Sequence, residues 1–384
     1  MKLIYVCNND VSVYESQVLS LLDYIIHYKK ISATLVQGYK NKQERDSLQK
    51  KLAGFSKIDV RWVKIFPQYG LFEPLVLSHY KKEFASLDLN TYTVVHVRSE
   101  YLGYIFMRIK KEMGFSAPIL VDVRGVMTEE WKYRLQRESG FRRLLSKIQS
   151  RYFTCFSNHL FGRLPQTAAI TCVSDTICKF LKVKYNLPES QLYVNPNIAG
   201  TQFVFSEIKR KEIRKKYAIK DDELLAICST GGGDIWQKDY QVIPLLIKKG
   251  IRVINLARKD PGIEGCLTTT VPFQEMPAML SAADIAVLWR EDTFMNNSAS
   301  PSKFSEFAIM GLYVIHNGSV DIARNYIQAT GAGVIINEID EIKSLSLSFD
   351  CIKRSEWIDA GTKAFGMDSI GTNYTDIYNR LISL

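Results

Sequence analysis

The stretches "DIAVLW" (residues 284–289) and "SPSKFSEFAIMGLYVIH" (300–316) decide the fold. "DIAVLW" is a short apolar run suited to a buried strand, and "YVIH" (313–316) is a second, closed by the turn signal Asn317-Gly318. Between them, Phe304, Phe307, Ala308 and Gly311 keep the i, i+3, i+4, i+7 spacing of one buried helix face. Ser300 is placed to cap that helix, Pro301 to fill its first position and Gly311 to end it in a left-handed conformation. Strand, loop, helix and strand make a βαβ unit, whose crossover is right-handed and whose ligands bind beyond the carboxyl ends of the strands. Lys303 then falls in the first helical turn, where a cation opposes the macrodipole by about 0.3–1 kcal/mol unless a bound anion reverses the sign. Glu306, three residues on, shares its face. Two readings follow: a solvated lysine–glutamate pair, or an anion site in the crevice.

The same alternation runs through the chain twice. Apolar runs at 2–7, 32–37, 58–64, 93–98, 118–123, 168–173 and 191–194 are separated by helical patterns such as "YLGYIFMRIKKEMG". After "NPNIAG" (195–200) and the charged "SEIKRKEIRKKYAIKDDE" (206–223), strand-like runs resume with "ELLAICST", "RVINLA", "TTTV", "DIAVLW", "YVIH" and "GVII". The expected architecture is α/β, with two Rossmann-like doubly wound domains at 1–200 and 201–369 and a C-terminal helix, 370–384, packing back on the first. A chain of 384 residues with 46% hydrophobic residues has material for two cores.

Cysteines at 7, 155, 172, 178, 228, 266 and 351 form no CxxC and no zinc-like spacing with histidine, and their odd number suits a reducing compartment. The opening "MKLIYVCNND" turns polar too soon for a signal peptide and no apolar run approaches a membrane span, so a cytoplasmic protein is expected. The formal charge of +10 invites nucleic acid, yet no zinc finger, RNP-type motif or recognition-helix pattern accompanies it, and none is expected as partner. The densest basic segment is "KYRLQRESGFRRLLSKIQSRYF" (132–153), where Leu144, Leu145 and Ile148 interleave with Arg142, Arg143, Lys147 and Arg151. It reads either as the solvated face of a packed helix or as an interfacial helix on an anionic membrane surface, which would place the protein peripherally on the inner face of the plasma membrane.

A second phosphate-type feature is "STGGGDIWQKD" (229–239), where Gly231, Gly232 and Gly233 sit between a strand and a helix and let backbone N–H groups approach an anion. The turn matches neither GxGxxG nor the P-loop pattern. Lys238 and Lys303 become two cations at the carboxyl edge of one sheet, with room for a diphosphate between them.

"ADIAVLWRE" followed by "NNSASPSKFSEFAIMGLYVI" resembles the donor-site signature of glycosyltransferase family 4 and its relatives. "YESQV", "VDVRGVMTEE" (121–130), "ITCVSD" (170–175) and "VNPNIAGTQF" (194–203) extend the resemblance over most of the chain. It implies a GT-B fold, two Rossmann-like domains facing a central cleft. The implied reaction moves a sugar from a UDP- or GDP-linked donor to a glycan or polyprenyl-linked acceptor in bacterial surface polysaccharide biosynthesis. Retention of configuration, no metal and no cofactor are implied, and neither a DxD pair nor an HExxH motif is found. By the same resemblance, Ser300, Ser302, Lys303 and Phe304 hold the donor diphosphate through backbone and hydroxyl groups. Lys303 and Lys238 neutralise it, Arg290 adds charge, and Glu306 accepts from the ribose hydroxyls, as a carboxylate can from a vicinal diol.

Catalysis needs negative charge stabilised on the departing diphosphate, which suits Lys303, and positive charge stabilised on the sugar. For the second task Asp122 and Arg124 at a strand end are the candidates, the alternative being a salt bridge that fixes the loop beside Gly125. Arg98 and Ser99 at the end of the strand "VVHVR" are the acceptor candidates, with Glu15 and Gln17 as weaker ones that solvent exposure also explains; His96 within that strand reads as core. The resembled family often carries two glutamates eight residues apart, and here the first position is Ser298; an arginine common in its glycine turn is also absent. Two other readings are a GT-B nucleotide-sugar epimerase and a degenerate, non-catalytic transferase-like binding subunit.

Overall fold

A computed structural model describes residues 1–8, 13–55, 57–65, 73–231, 236–347 and 351–383. The chain divides into two compact units, 1–196 with 371–384, and 197–370.

The first unit is built on a parallel sheet of strands β1 (Lys2–Cys7), β2 (Ser32–Tyr39), β3 (Asp59–Lys64), β4 (Val94–Arg98), β5 (Ile119–Val123), β6 (Ala168–Cys172) and β7 (Leu192–Val194). Their spatial order is β3-β2-β1-β4-β5-β6-β7. β4 and β5 are buried along their whole length because helices cover both faces of the sheet, as parallel pairing requires. Strand order reverses between β1 and β4, and the register sets Arg98 beside Asp122 at the carboxyl edge. The helix Glu100–Met113 follows, capped by Ser99, whose hydroxyl accepts from the Leu102 N–H. It packs closely enough on β5 that a Cβ at Gly103 would come within 2.6 Å of Val121 Cγ1.

The second unit has strands β8 (Leu225–Gly231), β9 (Arg252–Ala257), β10 (Cys266–Thr269), β11 (Ile285–Leu288), β12 (Tyr313–His316) and β13 (Gly333–Ile335), in the order β10-β9-β8-β11-β12-β13. This is the doubly wound dinucleotide-fold order, with its switch point between β8 and β11. Phe304, Phe307, Leu280 and Trp357 belong to one buried layer, and Val242, Leu246, Val287 and Trp289 to the other. The amino edge is pinned by Asp284, which accepts from Arg210 (2.6 Å), Arg214 (3.3 Å) and the Leu225 N–H (2.9 Å).

Three local features differ from the sequence expectation. The helix read from 300 onward runs Ser302–Ile309 with Pro301 as N-cap, because the Ser300 hydroxyl is engaged elsewhere and the Pro301 carbonyl takes the first bonds, from Phe304 (3.0 Å) and Ser305 (3.4 Å). Gly311 does lie just beyond its end at φ +65°. The 132–153 segment is two helices, Met127–Arg137 and Gly140–Phe161, broken at Glu138-Ser139 before Gly140 at φ +58°. The last helix, Met367–Ile382, begins earlier than the 370 expected. Within the first unit its Tyr378 hydroxyl stands 2.7 Å from His96 Nδ1. No helix among the described residues is long and apolar enough to cross a membrane.

Candidate functional site

In the second unit the site is organised by the loops that leave β8 and β11. Gly231 ends β8, while Gly232 and Gly233 lie outside the described residues. From Trp236 the chain runs antiparallel to the segment after β11: Gln237 bridges Arg290, the Lys238 N–H donates to Trp289 O (2.8 Å) and the Glu291 N–H to Trp236 O (2.9 Å). The two loops at the switch point are stitched together, and the backbones of Lys238 and Arg290 are brought close. Asp239, buried beside this stitch, accepts from the Trp289 N–H at 2.6 Å. Burial pushes its carboxyl up to about 7, against the pull of that hydrogen bond and of Arg290. Arg290 is braced in turn: its N–H donates to Asn317 Oδ1 (3.3 Å), its carbonyl accepts from Asn317 Nδ2 (2.6 Å) and its guanidinium reaches Asn296 Oδ1 (3.5 Å).

The Ser302–Ile309 helix starts on the same edge, between β11 and β12. Lys303 Nζ lies 3.2 Å from Glu306 Oε2, a partly exposed ammonium on a carboxylate whose side chain is 3% exposed. Burial raises the Glu306 carboxyl above its ordinary value, and Lys303 pulls it back. Phe304 is a correction to the donor reading. Its ring is core, edge-on to Tyr326 and Phe365, and its N–H donates to Pro301 O. Ser300 is likewise tied inward, accepting from Asn197 at both its hydroxyl and its carbonyl. What remains for a ligand at this helix start is the pair of N–H groups at Ser302 and Lys303, which have no intrahelical acceptor, with the Ser302 hydroxyl and the Lys303 ammonium. Ser298, at the position of the resembled family's first glutamate, is buried with its hydroxyl 3.4 Å from Met295 O.

In the first unit the carboxyl edge carries a buried charge network. Asp122 has no exposed side-chain surface, and Arg98 (3.2 Å), Arg124 (3.3 Å) and Thr171 (3.1 Å) all donate to it. Burial alone would raise its carboxyl, but Arg124, His96 and Arg98 outweigh it and hold Asp122 well below its ordinary value. His96 Nε2 is 3.8 Å from Asp122 Oδ2, and burial lowers the histidine below its ordinary value against the pull of Asp122. Arg124 also reaches Tyr374 Oη (3.4 Å) and Gln17 Oε1 (3.3 Å).

The arrangement corrects three first-unit assignments. Asp122 is enclosed, its carboxylate taken up by Arg98, Arg124 and Thr171 and not presented at the surface. Ser99 sits at φ +112°, a strained value for a residue with a Cβ, and its hydroxyl caps the following helix. Glu15 pairs with Lys51 (2.7 Å), while Gln17 is the residue on Arg124, since positions two apart on a helix face different ways. The half-buried Arg124 guanidinium is the cation this edge presents. Sequence reading missed Asn197, Asp239 and Tyr374; only Asp239, next to Lys238 at the turn, had a local signal.

No family model and no curated protein matches the chain. Solved structures do: Anabaena HepE in complex with UDP-glucose has 10% identity and a TM-score of 0.69, over 99% of this chain and 100% of that one. A glycosyltransferase from Rickettsia africae has 14% identity and a TM-score of 0.70, over 99% and 98%. UDP-GlcNAc 2-epimerase from Neisseria meningitidis has 11% identity and a TM-score of 0.58, over 100% of both chains. At such identities the likeness is one of fold, and the fold is GT-B.

Proposed function

We propose that this protein is a glycosyltransferase that takes its sugar from a UDP- or GDP-linked donor, with retention and without a metal. The observation that carries the reading is the Ser302–Lys303 helix start: two unpaired N–H groups, an ammonium and a buried glutamate at the carboxyl edge of a doubly wound sheet, the edge that also carries the Gln237–Arg290 stitch. The N–H groups and Lys303 receive the diphosphate and stabilise the charge that grows on it as the glycosidic bond breaks. Glu306, which accepts from Lys303 Nζ, also accepts from the ribose diol. The fold's likeness to HepE, solved with UDP-glucose, supports the donor class. The test is a thermal-shift titration of the protein with UDP, GDP, ADP and CMP, with and without EDTA. A chelator-insensitive shift with one diphosphate is expected, worth about 2.7 kcal/mol at a hundredfold excess over Kd. No shift with any of them overturns the reading.

The acceptor is lipid-linked on this proposal, and the enzyme works on the inner face of the plasma membrane building surface polysaccharide. The support is the Gly140–Phe161 helix, where Phe141 (72% exposed), Leu144, Leu145 and Ile148 face solvent among Arg142, Arg143, Lys147 and Arg151. Sequence 139–174 contains no acidic residue to neutralise them. An apolar and cationic face of this kind fits anionic headgroups. Each basic residue near such a surface contributes about 1 kcal/mol, so reversing Arg142 and Arg143 to glutamate should cut sedimentation with phosphatidylglycerol vesicles about tenfold or more at low salt. Unchanged sedimentation returns the helix to an ordinary solvated face.

A further inference from the structure

We infer that Asn197, the first residue of the second unit, is a positioning residue for the donor diphosphate; the inference rests on the donor reading above and extends it to a residue that touches no substrate. Three polar groups of Asn197 meet the segment that opens the Ser302–Ile309 helix. Its N–H donates to Ser300 Oγ (3.0 Å), its side-chain amide donates to the Ser300 carbonyl, and its carbonyl accepts from Ser305 Oγ (2.7 Å). Ser300 and Ser305 are both buried, so these bonds form away from competing water.

The tie has a consequence for the helix start. A serine directly before a proline that opens a helix would ordinarily be the N-cap, its hydroxyl accepting from the N–H groups two or three residues on. Asn197 holds that hydroxyl by its own N–H and fixes the peptide behind it through the carbonyl. The cap is thereby left to Pro301, which has no side-chain acceptor. The N–H groups of Ser302 and Lys303 stay open for an external anion, and the Ser305 tie anchors the same turn one step further along. The segment that enters the unit, directly after Pro196, thus sets the diphosphate cradle.

The test compares wild type with Asn197→Ala, which removes the side-chain amide and keeps the backbone N–H and carbonyl, and Ser305→Ala, which removes the second tie at a different residue. Calorimetry gives Kd for UDP, GDP and ADP and for their nucleosides. For whichever diphosphate wild type binds, Asn197→Ala should weaken it by roughly 5–20-fold and its nucleoside by less than about twofold, with a smaller loss of the same selectivity in Ser305→Ala, as charge-assisted bonds to the diphosphate are mispositioned. Retained nucleoside affinity shows that the variants are folded. Equal losses for diphosphate and nucleoside, or no loss in either variant, overturn the positioning role while leaving the donor reading intact. Failure of wild type itself to bind any of the three diphosphates removes the donor reading and this inference with it.

Discussion

Asp122→Ala should destabilise the first unit by about 3–5 kcal/mol at neutral pH, because it leaves two guanidinium groups in the interior without their counter-charge. Arg98 is 5% exposed and Arg124 is partly buried, so water cannot replace the carboxylate at the first of them. Asp122→Asn keeps the shape and one acceptor, and should cost less. The acid dependence has a definite sign. The folded carboxyl lies below its ordinary 3.8, so its stabilisation is complete above that value and is lost as pH falls below it. The stability gap between wild type and Asp122→Asn, followed by urea unfolding, should therefore be widest near neutrality and close toward pH 2. The same variant separates two roles. If Asp122→Asn unfolds like wild type yet transfers no sugar, the carboxylate acts on the substrate itself; if stability and activity fall together, it acts through Arg98 and Arg124.

Much of this fold is readable from local pattern, since strands buried on both faces must be nearly continuous apolar runs, and "VVHVR", "ILVDV" and "DIAVLW" are that. The neighbours and register of those strands, which set Arg98 beside Asp122, come only from the folded sheet. The reading fails where a side chain is claimed from far away. Ser300 has every local mark of an N-cap, yet it is engaged by Asn197, 103 positions earlier. Arg124 meets Tyr374 across 250 positions, a contact that depends on where the last helix lands. Glu15 and Gln17 looked alike as polar residues in a helix, and only the helix's rotation against the sheet separates Lys51's partner from Arg124's. The break at Glu138-Ser139-Gly140 was legible but overridden by the run of basic residues on both sides.

Lys303→Ala should weaken diphosphate affinity by roughly 10–100-fold, the loss expected when a charge-assisted contact of about 1.5–3 kcal/mol is removed from the helix start. Two effects add. On the donor reading the ammonium is the direct counter-charge for the leaving group, and it also draws the Glu306 carboxyl back down against its burial. Without Lys303, burial drives the Glu306 carboxyl further up, toward a neutral acid that accepts poorly from the ribose diol. The variant should therefore lose some discrimination between ribose and 2′-deoxyribose donors, which an ammonium acting on phosphate alone would not change. Its turnover should fall further than its ground-state affinity, because the charge on the diphosphate is greatest as the sugar leaves. Calorimetry with UDP, UMP and uridine locates the first effect, since only the ligand with two phosphates should lose its full factor. Unchanged UDP affinity in a folded Lys303→Ala protein would take the diphosphate off this helix, and with it the reason a lysine in a first turn is tolerated there.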